Sequence, residues 1–492
     1  MPADVCLVVE GSYPYITGGV AGWTHQLVTG LPEVSFALVV ILPDASFAGE
    51  DRYPVPANVV ERRHVYLFDE PARTPIREGG AALDSAVLEF HEAPAAARCP
   101  LFGTIEQIMR HGRHTAYGLQ AARSSWRLLT RLYEARGREV SFLDYFWTWR
   151  ATHGPIFRLL ETDMPQARVY HPLSTGYAGC LAAIAKRRQP CGVLLTEHGI
   201  YTRERDIEIA QAEWIYQEPV LGSVYAPDDP FFKAWWRSQY QFLGRLIYDA
   251  ADRIVTLNDV NRRYQVEAGA PDEKLVHVPN GIDVDRYAPL RRARDWSDRP
   301  FRVGLVGRVV PIKDIKTFLR AIQLARHEVP IEAFVLGPTD EDPAYHAECL
   351  ELVSLLGLEE AVRFRGKVEV HAHLPSLDLN VLTSVSESQP LVLLEGWAAG
   401  VPAVTTNVGA CREMCEGRSG ADALLGPSGL VTPVASPEAT ASAIVALARD
   451  PDRHAAMARA GIERVERFYR EEEVFSAYRE LYGALAPATR RR

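Results

Sequence analysis

The sequence predicts an α/β protein with two Rossmann-like, doubly wound domains, each built on a parallel sheet. The chain has 492 residues, of which 47% are hydrophobic, and this is too long for one hydrophobic core. Apolar runs of strand length alternate with helical patterns along both halves, as in βαβ units. Two segments, 301–322 and 386–404, place polar residues after apolar runs, where a parallel sheet binds its ligands.

The elements of the first half follow a β, α, β rhythm. The sequence predicts a strand at 6–10, a glycine turn at 18–19, a helix at 22–31, strands at 35–42 and 65–68, a helix at 120–136, a strand and helix across 168–188, and a strand at 192–199. Residues 219–240 predict a loop that leads into an aromatic-rich helix, and 286–300 predict an interdomain linker.

Composition and charge exclude several classes of function. The net charge of −9 implies no basic face for a nucleic-acid partner. No apolar run approaches the ~20 residues that cross a bilayer, and the chain enters a strand directly, without a leader pattern. Seven scattered cysteines fit reduced thiols. We therefore expect a cytoplasmic protein without a transmembrane segment.

The segment 386–404 predicts a loop followed by a helix, with Ser388 as its N-cap and Leu391 on its apolar side. The free N–H groups of such a helix start attract a diphosphate. Glu387 would then lie near the group attached to the phosphate, and Glu395, two turns in, within reach of ribose hydroxyls. Taken alone, the pattern favours a simpler interpretation, an acid at a helix start and another on an exposed face.

The segment 301–322 predicts a buried strand, a glycine turn at Gly307 and a helix. Arg308 and Lys313 lie in the turn and the first helical residues, where both could reach a pyrophosphate. The alternative is that both are solvated surface cations. Their position at one strand end, beside a glycine that admits close approach, favours the phosphate site.

Three motifs now resemble the donor-binding half of glycosyltransferase family 4, whose members are retaining enzymes of the GT-B fold. They are PNGID at 279–283, GRVVPIK at 307–313 and ESQPLVLLE at 387–395. The stretches 10–23 and 196–211 are similar to the PelF-like branch of this family, which serves Pel exopolysaccharide synthesis.

The resemblance implies two Rossmann-like domains that face a central cleft. Residues 1–285 would form the acceptor-side domain and 286–467 the nucleotide-sugar donor domain. A C-terminal helix at 468–492, bent near 470–473, would cross back onto the first domain.

The resemblance also implies the activity. A hexosyl unit would move from a UDP-sugar, with UDP-glucose favoured, to a saccharide or other hydroxyl acceptor in exopolysaccharide biosynthesis. The family's usual mechanism is a same-face attack assisted by the leaving phosphate, so Glu387 is not assigned as a nucleophile. A membrane polysaccharide synthase complex would be a further partner.

Site residues follow from the same resemblance. Arg308 and Lys313 would stabilise the leaving diphosphate, Glu395 would hold the ribose, Glu387 would contact the sugar, and His198 would orient it. The remaining donor-side residues are Gly18, Gly19, the backbone of Lys367, which would read the uracil, and Ser388, Gln389, Pro390 and Leu391.

Three of these, Ser388, Gln389 and Pro390, replace an acidic-glycine-aromatic-glycine run of many relatives, which affects donor identity. On the acceptor side we expect Glu197, Arg203 and Arg205.

Two metal-like patterns have simpler explanations. His371 and His373 suit a surface turn, and Asp283 and Asp285 follow an Asn-Gly turn. We expect no metal and no cofactor. Two other functions stay open: a GT-B-fold sugar-nucleotide 2-epimerase, and a catalytically silent scaffold subunit of a polysaccharide-secretion complex. The aromatic segment 219–240 speaks against the first, and the retained cations and glutamates against the second.

Overall fold

The structure, a computed structural model, describes residues 2–16, 18–69, 73–77, 80–92, 102–110, 114–212, 215, 231–418 and 420–487. The chain divides into two compact units. The first unit contains Met1–Thr256, Arg262–Val276 and Tyr478–Arg492, and the second contains Leu257–Asn261 and His277–Ala477. Each unit has its own parallel sheet and its own hydrophobic core.

The first sheet has seven strands in the order β3-β2-β1-β4-β5-β6-β7. The strands are β1 Ala3–Glu10, β2 Phe36–Leu42, β3 Val59–Tyr66, β4 Ala167–Pro172, β5 Gly192–Thr196, β6 Arg253–Thr256 and β7 Leu275–His277. Pairing from β3 through β6 is parallel. The apolar run of β2 is buried throughout, as expected for a strand covered on both faces. Strand order reverses at β1, which lies between β2 and β4.

Several helices of the first half of the chain lie between β3 and β4. The helices of this half are α1 Gly19–Gly30, α2 Ala81–Glu92, α3 Phe102–Arg110, α4 Ala116–Ala121, α5 Arg123–Arg136, α6 Phe142–Glu161, α7 Tyr177–Arg188, α8 Tyr201–Gln211, α9 Phe231–Ala250 and α10 Asp259–Glu267. The single helix predicted at 120–136 is wrong at its start, because Ala122 has an extended backbone that separates α4 from α5. The loop predicted at 219–230 lies outside the described residues.

The second sheet has six parallel strands in the order β10-β9-β8-β11-β12-β13. They are β8 Phe301–Val306, β9 Ile331–Leu336, β10 Val362–Phe364, β11 Leu379–Leu382, β12 Ala403–Thr406 and β13 Gly429–Thr432. Strand order reverses at β8. The two parallel-sheet units confirm the predicted fold class of two Rossmann-like, doubly wound domains.

The helices that accompany the second sheet run from α11 to α19. They are α11 Val284–Tyr287, α12 Ile315–Ala325, α13 Pro343–Leu355, α14 Val370–His373, α15 Leu391–Ala398, α16 Cys411–Glu416, α17 Pro437–Ala448, α18 Pro451–Phe468 and α19 Glu471–Leu485. The side chain of Asp314 caps α12 by accepting from the Thr317 amide. Helix α12 then buries Ile315, Phe318 and Ile322, which share one face, against the sheet.

The division between the units differs from the predicted boundary at 285. Residues 277–285 belong to the second unit, where Ile282 and Val284 are buried in its core. The predicted linker at 286–300 also packs within this unit. Arg294 donates to the carbonyls of Leu377, Pro375, Ala399 and Gly400, and the Trp296 indole donates to the Ala448 carbonyl over 2.9 Å. Charge and proline content favoured a linker, but these long side chains serve packing.

The C-terminal helical stretch breaks at Tyr469 and Arg470, between α18 and α19. The predicted crossing segment, 468–492, begins too early: Tyr469 is buried in the second core, and only Tyr478 onward groups with the first unit. There the Tyr478 hydroxyl lies 3.0 Å from the Thr196 hydroxyl, and the Tyr482 hydroxyl 2.8 Å from Nδ1 of His171. Residues 488–492 lie outside the described residues.

Candidate functional site

In the second unit, the loops after β8 and β11 are joined at the point where strand order reverses. The Val385 amide donates to the carbonyl of Ile312 over 2.9 Å, and the Thr383 hydroxyl donates to the carbonyls of Lys313 and Asp314. Parallel α/β sheets bind ligands in the crevice outside this reversal. The two motifs that are eighty residues apart in sequence therefore form one surface.

An ion pair between Lys313 and Glu387 connects the two motifs. Lys313 Nζ donates to Glu387 Oε1, and the Ser384 hydroxyl donates to the same oxygen over 2.7 Å. Both charged side chains are largely buried, with 18% and 13% of their surface exposed. The predicted assignment of both residues to one site agrees with this contact, although sequence alone gave no reason to pair them.

Arg308 occupies a different environment from Lys313. Its side chain is half exposed and pairs with Glu341, beyond the end of β9. Beside it, a Cβ on Gly307 would meet only the Lys313 side chain at 3.6 Å or more. The Lys313 side chain therefore lies against Gly307, and the glycine lets this cation pack close to the turn backbone.

Glu395 does not lie on an exposed helix face. Burial raises the pKa of its carboxyl, and a hydrogen bond with Tyr287 opposes that shift. Tyr287 is buried in the hydrophobic core beneath α15, and α15 is the helix that contains Glu395. The carboxyl is therefore held in place by a neighbouring aromatic residue, and this favours a defined contact over a solvated charge.

The predicted N-cap role of Ser388 is wrong. Helix α15 starts at Leu391 after Pro390, and no side chain caps it. The Ser388 hydroxyl instead accepts from the Asn261 side-chain amide over 2.9 Å. Proline at the N-cap position fixes the chain direction, and the absence of a side-chain cap leaves that role open to a ligand anion.

Gln389 also acts within the protein. Its side-chain oxygen accepts from the Asn280 amide over 2.7 Å, and the side chain is buried. Gln389 therefore joins the first and third motifs, and its contact with the sugar donor stays a prediction. Gly409 is a further residue that sequence reasoning missed: a Cβ there would lie 2.0 Å from the Glu387 carbonyl oxygen. Its φ of 47° is the recognisable property, but no local sequence pattern reveals the neighbour.

The positions of Lys367, His371 and Asp283 are compatible with the roles predicted for them. Lys367 is exposed and follows β10 at the carboxyl edge of the sheet. His371 Nε2 lies 2.9 Å from the carbonyl oxygen of Arg286, in the short helix α14. Asp283 caps α11 by accepting from the Arg286 amide. Within the described residues, no group of three or more potential ligands could hold a metal ion; metal independence stays a prediction.

The first unit contains a cavity of about 510 Å³ outside the carboxyl ends of β1, β2, β4 and β5. This position includes the reversal of strand order at β1. The lining residues that bear charge or an aromatic ring are Glu10, Phe68, Tyr177, His198, Tyr201, Glu204, Arg205, Trp236 and Tyr240. A volume of this size suits a small ligand.

Glu10, at the end of β1, is the best-connected carboxylate of the cavity. It accepts from the Ser174 hydroxyl over 2.5 Å, from the Ala178 amide at the start of α7 over 2.9 Å, and from the Tyr201 hydroxyl over 3.2 Å. Glu10 is the first residue of the stretch 10–23, but the sequence alone assigned no role to it. Its place directly after the first buried strand was the available signal.

His198 lines the same cavity, in agreement with its predicted position after β5. Its ring lies 4.4 Å from the ring of Trp23 in a T-shaped arrangement. Burial lowers the pKa of His198 to about 3, so the imidazole is neutral at pH 7. A neutral ring can orient a hydroxyl but carries no positive charge.

Two of the three predicted acceptor-side residues, Glu197 and Arg203, do not line this cavity. Glu197 is fully buried and accepts from the Tyr248 hydroxyl over 2.7 Å and from Gln265 over 3.1 Å, away from the cavity. Arg203 lies over the ring of Tyr264 at 4.3 Å. Glu197 and His198 are consecutive residues after β5 and point in different directions, whereas Arg203 and Arg205 lie on different sides of helix α8.

Arg205 lines the cavity, and its acceptor-side role stays a prediction. It pairs with Glu208 over 2.7 Å and lies over the Tyr201 ring. Its buried Nε has no hydrogen-bond partner among the described residues. Gly18 and Gly19 are exposed, have φ values of 94° and 48°, and leave open space where a Cβ would be. Helix α1 starts there without a side-chain cap.

Two protein families match different parts of the chain. Residues 3–273 match the family described as "Domain of unknown function (DUF3492)", and residues 300–450 match "Glycosyl transferases group 1". The second match covers both donor-side loops. The second match and the fold are both similar to those of GT-B glycosyltransferases. The chain belongs to the DUF3492 family, whose match covers more than half of it.

Curated relatives match part of the chain. The D-inositol 3-phosphate glycosyltransferase of Kineococcus radiotolerans is 32% identical over 239 residues, which are 45% of this chain and 55% of that protein. The GDP-mannose-dependent alpha-(1-6)-phosphatidylinositol monomannoside mannosyltransferase of Mycobacterium tuberculosis is 29% identical over 238 residues, 44% and 58% of the two chains. The chain thus spans about half the length of the curated relatives it matches.

Solved structures match almost the whole chain. HepE of Anabaena, in complex with UDP and glucose, aligns over 98% of this chain and all of its own, with 14% identity and a TM-score of 0.58. Sucrose-phosphate synthase of Thermosynechococcus elongatus aligns over 98% and 99%, with 16% identity and a TM-score of 0.59. These likenesses confirm the GT-B fold. None of the described helices is long and apolar enough to cross a membrane.

Proposed function

We propose that this protein is a retaining glycosyltransferase of the family 4 type that transfers a hexosyl unit from a UDP-sugar to a hydroxyl group of a saccharide. The observation that carries the proposal is the Lys313–Glu387 pair, held between two joined loops where strand order reverses in the second sheet. A preorganised cation at this position can stabilise the charge of a leaving diphosphate.

The donor is UDP-glucose in this proposal. HepE, a protein of the same fold, was solved with UDP and glucose, which favours UDP. One curated relative is GDP-mannose-dependent, so the nucleotide is the first property to test. Glu395, fixed by Tyr287, would hold the ribose, and the exposed backbone at Lys367 would read the base. The uncapped start of α15 would bind the diphosphate with Lys313 and Arg308.

Glu387 would contact the transferred sugar but not attack it. The carboxylate already accepts from Lys313 and Ser384, which lowers its nucleophilicity and fixes its orientation. A double displacement needs a free carboxylate near the anomeric carbon. The same-face mechanism, in which the leaving phosphate assists the attacking hydroxyl, uses Lys313 and leaves Glu387 as a positioning group.

The first-unit cavity would hold the acceptor. Carboxylates and aromatic rings together, here Glu10, Glu204, Tyr201 and Tyr240, suit the hydroxyls and apolar faces of a saccharide. Room for an acceptor favours transfer over 2-epimerisation of the donor. We place this activity in the cytoplasm, in PelF-like exopolysaccharide biosynthesis and beside a membrane polysaccharide synthase complex.

The test is incubation of the pure protein with UDP- and GDP-sugars, with and without short saccharide acceptors, and measurement of released nucleotide and product anomer. We expect release of UDP from UDP-glucose, stimulated by acceptor, with retention. Glu395→Gln should weaken UDP binding, whereas Glu387→Gln should keep UDP binding and reduce turnover. Equal losses of UDP affinity, or no release with any donor, would contradict the proposal.

A further inference from the structure

The outer side of helices α5 and α6 exposes a continuous aromatic patch. The patch consists of Trp126, Phe142, Leu143, Phe146 and Trp147. Trp126 is 51% exposed, Leu143 61% and Trp147 57%. Trp126 lies 5.8 Å from Phe142 and 6.1 Å from Phe146 between ring centroids, and Phe146 lies 5.2 Å from Trp147. The rings therefore form one surface that joins the two helices.

Phe142 and Phe146 are partly buried and pack against the core of the first unit, whereas Trp126, Leu143 and Trp147 are exposed and lie outside that core. Helix α5 buries Leu128, Leu129 and Leu132 on its opposite side, and α6 buries Tyr145 and Trp149. Both helices thus have complete apolar faces toward the interior. Large aromatic rings that remain in water on the other side are unfavourable for the isolated protein, and a contiguous exposed group of this kind marks an interaction surface.

Positive charge accompanies the patch. Arg123, Arg127 and Arg131 repeat every four residues along the exposed side of α5, and the Arg150 guanidinium lies 5.8 Å and 5.9 Å from the centroids of Phe146 and Trp147. Residues 121–150 contain six arginines and three carboxylates, although the whole chain has a net charge of −9. Arg123, Arg127, Arg131 and Arg150 therefore place positive charge beside the exposed rings.

Two arginines of α5 differ from arginines that form ion pairs within their own helix. Among the described residues, Arg127 and Arg131 have no ion-pair partner, whereas Arg412 and Arg467 each pair with a glutamate four positions away. Like charges four positions apart destabilise a helix. An anionic surface that accepts both the rings and the guanidinium groups would relieve both unfavourable features at once.

We propose that this surface of α5 and α6 docks the protein on a membrane that contains anionic lipids. Tryptophan, phenylalanine and leucine insert at the level of the headgroups and upper acyl chains, while flanking arginines bind lipid phosphates. The stacked Arg150 keeps its charge beside the inserted rings. The helices lie on the membrane and do not cross it. This inference does not rest on the proposed glycosyl transfer.

The test is co-sedimentation of the full-length protein with vesicles of phosphatidylcholine alone and of phosphatidylcholine and phosphatidylglycerol in equal parts. We expect binding to the mixed vesicles, weakened by salt, and at least about tenfold weaker binding to the neutral ones. The double variants W126A/W147A and R127E/R131E should each bind mixed vesicles at least about tenfold less.

Matched controls separate this surface from general effects. L355A/L424A removes two exposed leucines of the second unit, and R320E/R459E makes the same charge change on exposed arginines there; both should bind as the parent protein does. Because W126A/W147A could misfold, the parent protein and W126F are also compared by quenching of tryptophan fluorescence with brominated lipid. We expect quenching of the parent protein and less quenching of W126F.

Three results would overturn the proposal: equal binding to neutral and mixed vesicles, patch variants that bind like the parent, or controls that lose as much. If the patch variants keep vesicle binding but lose a copurifying protein, the surface docks a protein partner and the membrane assignment is wrong.

Discussion

Selected buried charges of the two units are stabilised by different means. In the second unit, charged side chains meet opposite charges: Lys313 pairs with Glu387, and the fully buried Arg464 pairs with Asp422 over 2.6 Å. In the first unit, the carboxylates of Glu10 and Glu197 meet neutral donors, namely hydroxyls, amides and a backbone N–H.

This difference determines how each of these groups responds to pH. An opposite charge stabilises the ionised form of a buried group, whereas neutral donors compensate burial only in part. The pKa of Glu197 is accordingly raised to about 7 by burial, against the hydrogen bonds from Tyr248 and Gln265. The first unit should therefore sense pH near neutrality through this group. The ion pairs of the second unit should be insensitive over the same range.

The largest expected effect comes from removing a buried cation of the second unit. Arg464 donates to Asp422, to the Ser428 hydroxyl and to the carbonyls of Cys415 and Gly426. Arg464→Met leaves Asp422 buried without its counter-ion and should lower the free energy of unfolding by about 3–5 kcal/mol.

The matched control is Arg467→Met, one turn later, where an exposed pair with Glu463 should contribute about 0–1 kcal/mol. Urea unfolding measures both, with hydrogen exchange to assign the loss to the second unit. Similar losses of unfolding free energy in the two variants would show that burial of an ion pair does not determine its contribution to stability.

The second-largest expected effect is the pH dependence of folding stability that Glu197 causes. A raised pKa in the folded state means that the folded protein binds more protons than the unfolded chain between about pH 4.5 and 7. The stabilisation is fully present below the unfolded pKa and is lost as pH rises through about 7. Its size should be about 3 kcal/mol, from 1.36 kcal/mol per pKa unit.

Glu197→Gln should remove this part of the pH dependence. Glu471 in the second unit also has a pKa raised to about 7, chiefly by burial, but it is present in both proteins and cancels in the difference. Thermal unfolding of parent and variant at pH 5, 6, 7 and 8 checks the prediction. A constant difference across this range would mean that Glu197 does not titrate there.

The third expected effect concerns Lys313 and Arg308, the two cations of the second unit that are predicted to bind the diphosphate. Lys313→Ala should weaken UDP binding by roughly 1.5–3 kcal/mol, the contribution of a hydrogen bond to a charged group. Arg308→Ala should cost less, because that side chain is half exposed and screened by water. Isothermal calorimetry with UDP measures both. Lys316→Ala, which removes an exposed lysine paired with Glu348 on α12, is the control and should leave affinity unchanged.

The smallest expected effect on stability comes from Arg203, which does not line the cavity of the first unit. Arg203→Ala removes an exposed contact with the Tyr264 ring and should cost about 0.5–1 kcal/mol of unfolding free energy, without change in turnover. Arg205→Ala, its neighbour at the cavity, should impair use of the acceptor. If Arg203→Ala impaired turnover more than Arg205→Ala, the assignment of these two side chains would be reversed.

Errors in the sequence predictions have a common physical origin. The interpretation of 286–300 as a linker and of Ser388 as an N-cap both rested on local composition. Arg294 and Trp296 instead hydrogen-bond to carbonyls a hundred positions away, and Pro390 displaces the helix start by two residues. A local pattern reports what a residue can do, whereas its distant neighbours determine which of those options is realised.

The sequence by itself determined the two α/β units, the strand-turn-helix that bears Lys313 and the approximate place of His198, because hydrophobic periodicity and glycine turns are local properties. Only the tertiary structure decided that Lys313 meets Glu387, that Glu197 turns inward while its neighbour His198 lines a cavity, and that Glu10 belongs to that cavity. Strand order brings these residues together, since parallel strands that are neighbours in the sheet are far apart in the chain.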